Sequence, residues 1–167
     1  GRNSAANIHL TLVPYIAAAG ELKTKPTQHS VRELRAIGIQ PDLLLCRVDR
    51  ALPDDLKRKI ALFCNVAPEQ VITARDVSTI YEVPLHFARE GLDEILLGLL
   101  NMPRYDRDMS RWETLVNRIK SPRHHVRVGI VGKYVELPYA YKSSNEALLH
   151  GGIANDSRVE LVYLNAE

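Results

Sequence analysis

Two lysines, two threonines and a glutamine fall within Lys23-Thr-Lys-Pro-Thr-Gln28, and side chains of these types in one short run bind anions. Behind them Val31, Leu34 and Ile37 recur at helical spacing, Gly38 stops the run, and Ser30-Val-Arg-Glu33 matches the capping-box pattern. The spacing predicts a helix that begins between Thr27 and Ser30. A helix start carries a partial positive charge and unpaired backbone N–H groups, so Asp or Glu would stabilise it better than Lys23 and Lys25 do. A bound anion, most naturally a phosphate, turns that liability into a site.

Other residues invite chemical readings that weigh less. The run Lys57-Arg58-Lys59 reads first as a solvated helix face, and as a third phosphate charge only if one member lies near the lysine loop in space. Arg47 and Arg50 follow a buried strand, where ligands gather in open α/β sheets, although simple surface charge is the leading explanation from the residues alone. Gly132-Lys133 follows a strand, but Arg127 and Tyr134 stand where a phosphate loop needs glycine and Ser or Thr. His124-His125 is a solvated strand entrance rather than a metal site. Cys46 and Cys64 sit in the apolar runs LLLCRV and IALFCNV, without zinc spacing, and read as buried thiols of a reducing compartment. Asn155-Asp-Ser157 matches the glycosylation acceptor pattern and carries no weight without a secretory signal.

The elements that position these residues alternate between strand and helix. Asn7–Pro14 alternates with Ile8, Leu10 and Leu12 on one face, and Asp42–Val48 is the near-continuous apolar run of a strand buried on both faces. Pro53-Asp-Asp55 opens a helix with Leu56, Ile60 and Phe63 as its stripe, closed near Asn65. Val71-Ile-Thr73 is a short strand, and Asp76–Val83 is ambiguous and stops at Pro84. Leu85–Leu100 returns to helical spacing through Phe87, Leu92, Ile95, Leu96 and Leu99. The polar stretch Asn101–Ser110 reads as an interdomain connection. Ser110-Arg-Trp-Glu113 then caps a helix with Trp112, Leu115, Val116 and Ile119. Val126–Val131 is a strand, Pro138–His150 a helix broken by Gly151-Gly152, and Val159–Leu164 a last strand. A strand, a helix and a strand alone make an incomplete domain.

The 167 residues are 46% hydrophobic and 25% charged, ample for a sizeable core. A net charge of +2 is too mild to indicate nucleic acid as a partner. No apolar stretch reaches the ~20 residues that span a bilayer, so no membrane is expected, and the cytoplasm is the default location.

The runs Ile8-His-Leu-Thr-Leu-Val-Pro-Tyr-Ile16, Gly20–Ser30, Gly38-Ile-Gln-Pro-Asp42 and Ile60-Ala-Leu-Phe-Cys-Asn-Val66 closely resemble the CTP synthase family. The likeness continues through Val128–Tyr134 and Glu136-Leu-Pro138 to Asn145–Gly152. It implies an α/β chain holding parts of two parallel-sheet domains, a P-loop-like amidoligase and a flavodoxin-like glutaminase, joined by a linker. On that basis residues 1–100 are the C-terminal part of the synthetase domain, 101–124 the linker with its helix, and 125–167 the start of the glutaminase domain. The parent ligase would phosphorylate UTP with ATP and Mg²⁺ and displace the phosphate with ammonia drawn from glutamine.

The same resemblance assigns the triphosphate of UTP, or of the inhibitory product CTP, to Lys23, Thr24, Lys25, Pro26, Thr27, Gln28 and Lys59. It gives the ATP adenine to Arg75, Asp76 and Val77, with Arg47 a weaker stacking candidate, and makes Lys142 the candidate contact of a lid tied to GTP activation. Tyr139 and Ser144 depart from the family pattern in that lid. Family members form tetramers and filaments, so a homo-tetramer is expected. No catalytic triad, Mg²⁺ carboxylate pair or phosphate loop is recognisable, so the 167 residues alone are expected to catalyse neither half-reaction. The alternative is a non-catalytic nucleotide-sensing or assembly module.

Overall fold

The computed structural model describes residues 4–137 and 139–166. Two compact units divide between Arg107 and Asp108, and each is α/β with a parallel sheet. In the first, β1 (Ile8–Leu12), β4 (Leu43–Val48) and β5 (Val71–Arg75) form a parallel sheet in the order β1-β4-β5. Thr11 pairs with Cys46 and Cys46 with Thr73 across it. A two-stranded antiparallel hairpin, β2 (Tyr15–Ile16) and β3 (Glu21–Leu22), follows β1, with Gly20 at φ 66° absorbing the left-handed turn between them.

Period-2 alternation puts Leu44, Cys46 and Val48 on one face, against α1 (Lys25–Ala36) and α2 (Asp54–Cys64). Val31, Ile60, Ala61 and Cys64 close that core, and each fully buried aliphatic side chain contributes about 1.5–3 kcal/mol. The α2 stripe therefore runs through Ile60, Ala61 and Cys64, with Leu56 at its margin. Phe63, expected in the stripe, is exposed instead, because its position lies about 100° round the helix from Cys64. Burial pushes the Cys46 thiol up to about 12 and the Cys64 thiol up to about 11, as inert core thiols require.

The opposite face is partly covered by α3 (Val83–Arg89), which packs on β5, and it leaves Ile8, Leu10 and Leu12 exposed. Pro84 sits in the first turn of α3, so it starts a helix where the sequence suggested a stop. The single helix expected over Leu85–Leu100 is two, α3 and α4 (Leu92–Leu99), broken at Gly91 with φ 75°.

The second unit is a βαβ crossover. Strands β6 (His124–Gly132) and β7 (Ser157–Asn165) pair in parallel, joined by α6 (Lys142–Ala154), and α5 (Ser110–Lys120) packs on α6. Ser110 does not cap α5. The N-cap is Met109, and the Ser110 backbone N–H donates to the Asp108 carboxylate at 2.9 Å. Pro138, the expected first residue of the next helix, lies outside the described residues; α6 begins at Lys142 and runs through Gly151-Gly152 rather than breaking there. A Cβ on Gly152 would stand 2.6 Å from the Ser157 carbonyl oxygen, so this glycine permits close helix–strand packing.

Candidate functional site

The lysine stretch sits where β3 feeds α1. The helix starts at Lys25, two residues earlier than the earliest expected start, because Pro26 fits its first turn and fixes φ there. Ser30 lies inside the helix, and its hydroxyl bonds His9 Nε2 at 2.8 Å instead of capping. No acidic residue stands in the first turn. Pro26 has no N–H, and the Gln28 N–H already donates to the Thr24 carbonyl, which leaves the Lys25 and Thr27 N–H groups as the donors that helix geometry strands at this end.

The threonines anchor this start rather than present it. The Thr27 hydroxyl is fully buried and donates to the Leu12 carbonyl at 3.0 Å, while Thr11 donates to Thr27 at 3.2 Å. Thr24 is also buried and accepts from the Gln28 amide at 3.0 Å. Lys23, Lys25 and Pro26 remain exposed around this fixed frame. The Lys23 N–H donates to the Pro14 carbonyl at 2.9 Å, tying the loop to the end of β1.

One partner of this site was not singled out in the sequence. Glu21 forms an ion pair with Lys23. The Lys23 hydrogen bond and charge, with a smaller contribution from Lys59, hold the Glu21 carboxyl below the usual carboxylate range. Lys59 is carried by α2, which packs on α1. The signal was legible in retrospect, since residues two apart on an extended segment share a face. Of the three neighbouring cations on α2, Lys57 points elsewhere. Its ammonium donates to Glu90 at 2.7 Å in a half-buried pair, and the same Glu90 oxygen accepts from the Thr73 N–H at 2.9 Å.

A second arrangement lies at the C-terminal end of the sheet, on the face opposite α1. Arg75, Asp76 and Val77 leave β5 beside Arg47 of β4, whose Nε donates to Asp76 at 2.8 Å. With Leu10 and Phe87 among the apolar walls, they line a cleft of ≈ 510 Å³. His86 helps fix that wall by donating from Nε2 to the Thr73 carbonyl at 3.0 Å. Leu10, His86 and Phe87 had no motif to mark them. A flat apolar wall beside a guanidinium suits a planar aromatic ring. Arg50 is not part of this cleft; its guanidinium lies 3.2 Å from the centroid of the Tyr15 ring.

In the second unit Lys142 opens α6 and lies 5.9 Å from the centroid of the Tyr139 ring. His124 and His125 are exposed, and among the described residues no cluster of His, Cys, Asp and Glu could hold a metal. No described helix is long and apolar enough to cross a membrane.

Comparison with known proteins bears on these arrangements. The chain is 59% identical over all 167 residues to the CTP synthase of Oleidesulfovibrio alaskensis, covering 30% of that protein. It is 56% identical to the CTP synthase of Koribacter versatilis and 53% to that of Bdellovibrio bacteriovorus, again over its whole length and covering 30% and 31% of them. The chain therefore spans about 30% of the length of the relatives it matches. The family model described as CTP synthase N-terminus matches residues 1–102, more than half of the chain and nearly all of the unit that carries both the lysine stretch and the cleft, and by that match the chain belongs to the CTP synthase family.

Proposed function

We propose that this chain is the nucleotide-holding portion of a CTP synthase, a ligase that aminates UTP to CTP with ATP, Mg²⁺ and glutamine. The observation that carries the reading is the pair of exposed lysines, Lys23 and Lys25, at a helix start that has no acid of its own. Exposed Lys23, Lys25 and Lys59 would pair with the oxygens of the UTP or CTP triphosphate, with the Lys25 and Thr27 N–H groups completing the cradle. Thr24, Thr27 and Gln28 would act chiefly by holding the helix start rigid, since their side chains already bond within the chain. Pro26 fixes the turn.

The cleft beside Arg47 would take the adenine of ATP. Val77 and Phe87 supply the apolar surface, Arg47 the cation, and Arg75 and Asp76 the polar edge. Lys142 would meet GTP or another anion in the second unit. The Mg²⁺ ligands and the glutaminase nucleophile would lie in other parts of the parent, which we take to combine a P-loop-like synthetase domain with a flavodoxin-like glutaminase domain in a cytoplasmic tetramer. The family's chemistry needs a phosphorylated UTP intermediate and ammonia; the residues described here hold the nucleotides while those steps occur.

Titration of UTP and CTP into the full-length protein tests this. Lys23→Ala and Lys59→Ala should each weaken binding about tenfold, in line with the loss of a charge-assisted phosphate contact. Unchanged affinity in both variants would refute the shared triphosphate site.

A further inference from the structure

We infer that Glu21 is a built-in competitor for the phosphate site, a carboxylate that occupies the ammonium of Lys23 until a nucleotide triphosphate displaces it. The inference rests on the triphosphate reading above and adds a residue to it. Glu21 and Leu22 form strand β3, Glu21 pairs across the hairpin with Ile16, and Lys23 follows on the same face. The hairpin is held at both ends, by the Gly20 turn and by the Lys23 N–H bond to Pro14, so the carboxylate cannot drift away from the helix start. It is paired with Lys23, where a phosphate oxygen would have to enter.

Both partners are accessible, with side-chain exposures of 45% for Lys23 and 57% for Glu21, so the pair can open without disturbing the core. An exposed ion pair is worth little in water, which makes displacement by a more highly charged ligand easy. The carboxylate has two effects on the site. In the empty state it screens a helix start that lacks any acid in its first turn. In the loaded state it repels the incoming phosphates, and that repulsion grows with the charge of the ligand. The carboxylate should accordingly hold triphosphate binding below what the lysines alone would give and narrow the preference for triphosphates over monophosphates.

The test is titration of UTP, UDP and UMP into the full-length protein and its Glu21→Gln variant. UTP affinity should rise about two- to fivefold in the variant, the range of an exposed pair, and UMP affinity should rise proportionally less, so that the UTP-to-UMP ratio widens. Glu21→Asp should restore most of the original ratio, and thermal unfolding of the unliganded proteins should match, because the side chain is outside the core. Weaker or unchanged UTP binding in Glu21→Gln, while Lys23→Ala still weakens binding, would overturn the competitor role and leave the triphosphate site standing. Unchanged binding in Lys23→Ala as well would remove the site itself.

Discussion

The two helices on the core face of the first sheet open in opposite ways. Helix α2 follows Pro53 with Asp54 and Asp55, the acids that a helix dipole favours, and needs nothing from outside. Helix α1 opens with Lys25 and Pro26 and has no acid in its first turn. The packing is otherwise alike, since both bury one stripe in the same core. The contrast teaches that the α2 start is complete within the fold, while the α1 start leaves its dipole unanswered by the chain, which on the proposed reading is where a ligand acts. Their lysines divide in the same way. Lys57 is half-buried and serves Glu90, whereas Lys23 and Lys59 are exposed.

The contrast can be broken from either side. Lys25→Glu would give α1 the first turn that α2 has. It should cut UTP affinity of the full-length protein on the order of thirtyfold or more through like-charge repulsion, while raising unliganded stability by about 0.3–1 kcal/mol. Calorimetric titration and urea unfolding measure the two effects, and a loss of stability with normal UTP binding would reverse the comparison.

Next in size is Lys57→Ala, which strands Glu90 in a half-buried position and should cost about 1–3 kcal/mol with no change in UTP affinity of the folded protein. The pH dependence of that cost has a definite sign. Burial pushes the Glu90 carboxyl up, but the Lys57 hydrogen bond, the Thr73 N–H and the Lys57 charge together outweigh it and hold the carboxyl below its ordinary value of 4.5. The pair therefore stabilises fully above pH 4.5 and loses its contribution as pH falls through the lowered value. Urea midpoints of the two proteins should converge in acid, and a difference that persists unchanged at pH 2–3 would reject the pairing as its cause. The smallest effect is expected from joint Asp54→Asn and Asp55→Asn, about 0.3–1 kcal/mol, erased by high salt and silent in UTP binding.

Much of the fold could be read from the chain because its signals were local. The apolar run at Leu43–Val48, the acids after Pro53 and the left-handed Asn65 at the end of α2 each reported their own surroundings. The misreadings arose where local patterns competed. Ser30-Val-Arg-Glu33 satisfies a capping box in sequence, yet Pro26 starts the helix sooner and Ser30 turns to His9. Pro84 and Gly91 punctuate helices in either direction, and only the docking of Glu90 on Thr73 and Lys57 decides where the break falls. The charged loop was legible as a candidate anion site from residue types alone. The Glu21 partner of Lys23 and the approach of α2, which carries Lys59, were not, because the packing of α2 on α1 joins stretches 38 positions apart. The apolar half of the cleft was invisible for the same reason, since Leu10 and Phe87 look like any core residues until the sheet brings them together.

The strip of Ile8, Leu10 and Leu12 carries a practical consequence. It lies on an edge strand, so an unsatisfied hydrogen-bonding margin and an apolar face coincide on the same five residues. A lysine in place of Leu10 is the single change that would act as a gatekeeper against sheet-to-sheet growth, and it would do so at the mouth of the cleft that Leu10 lines.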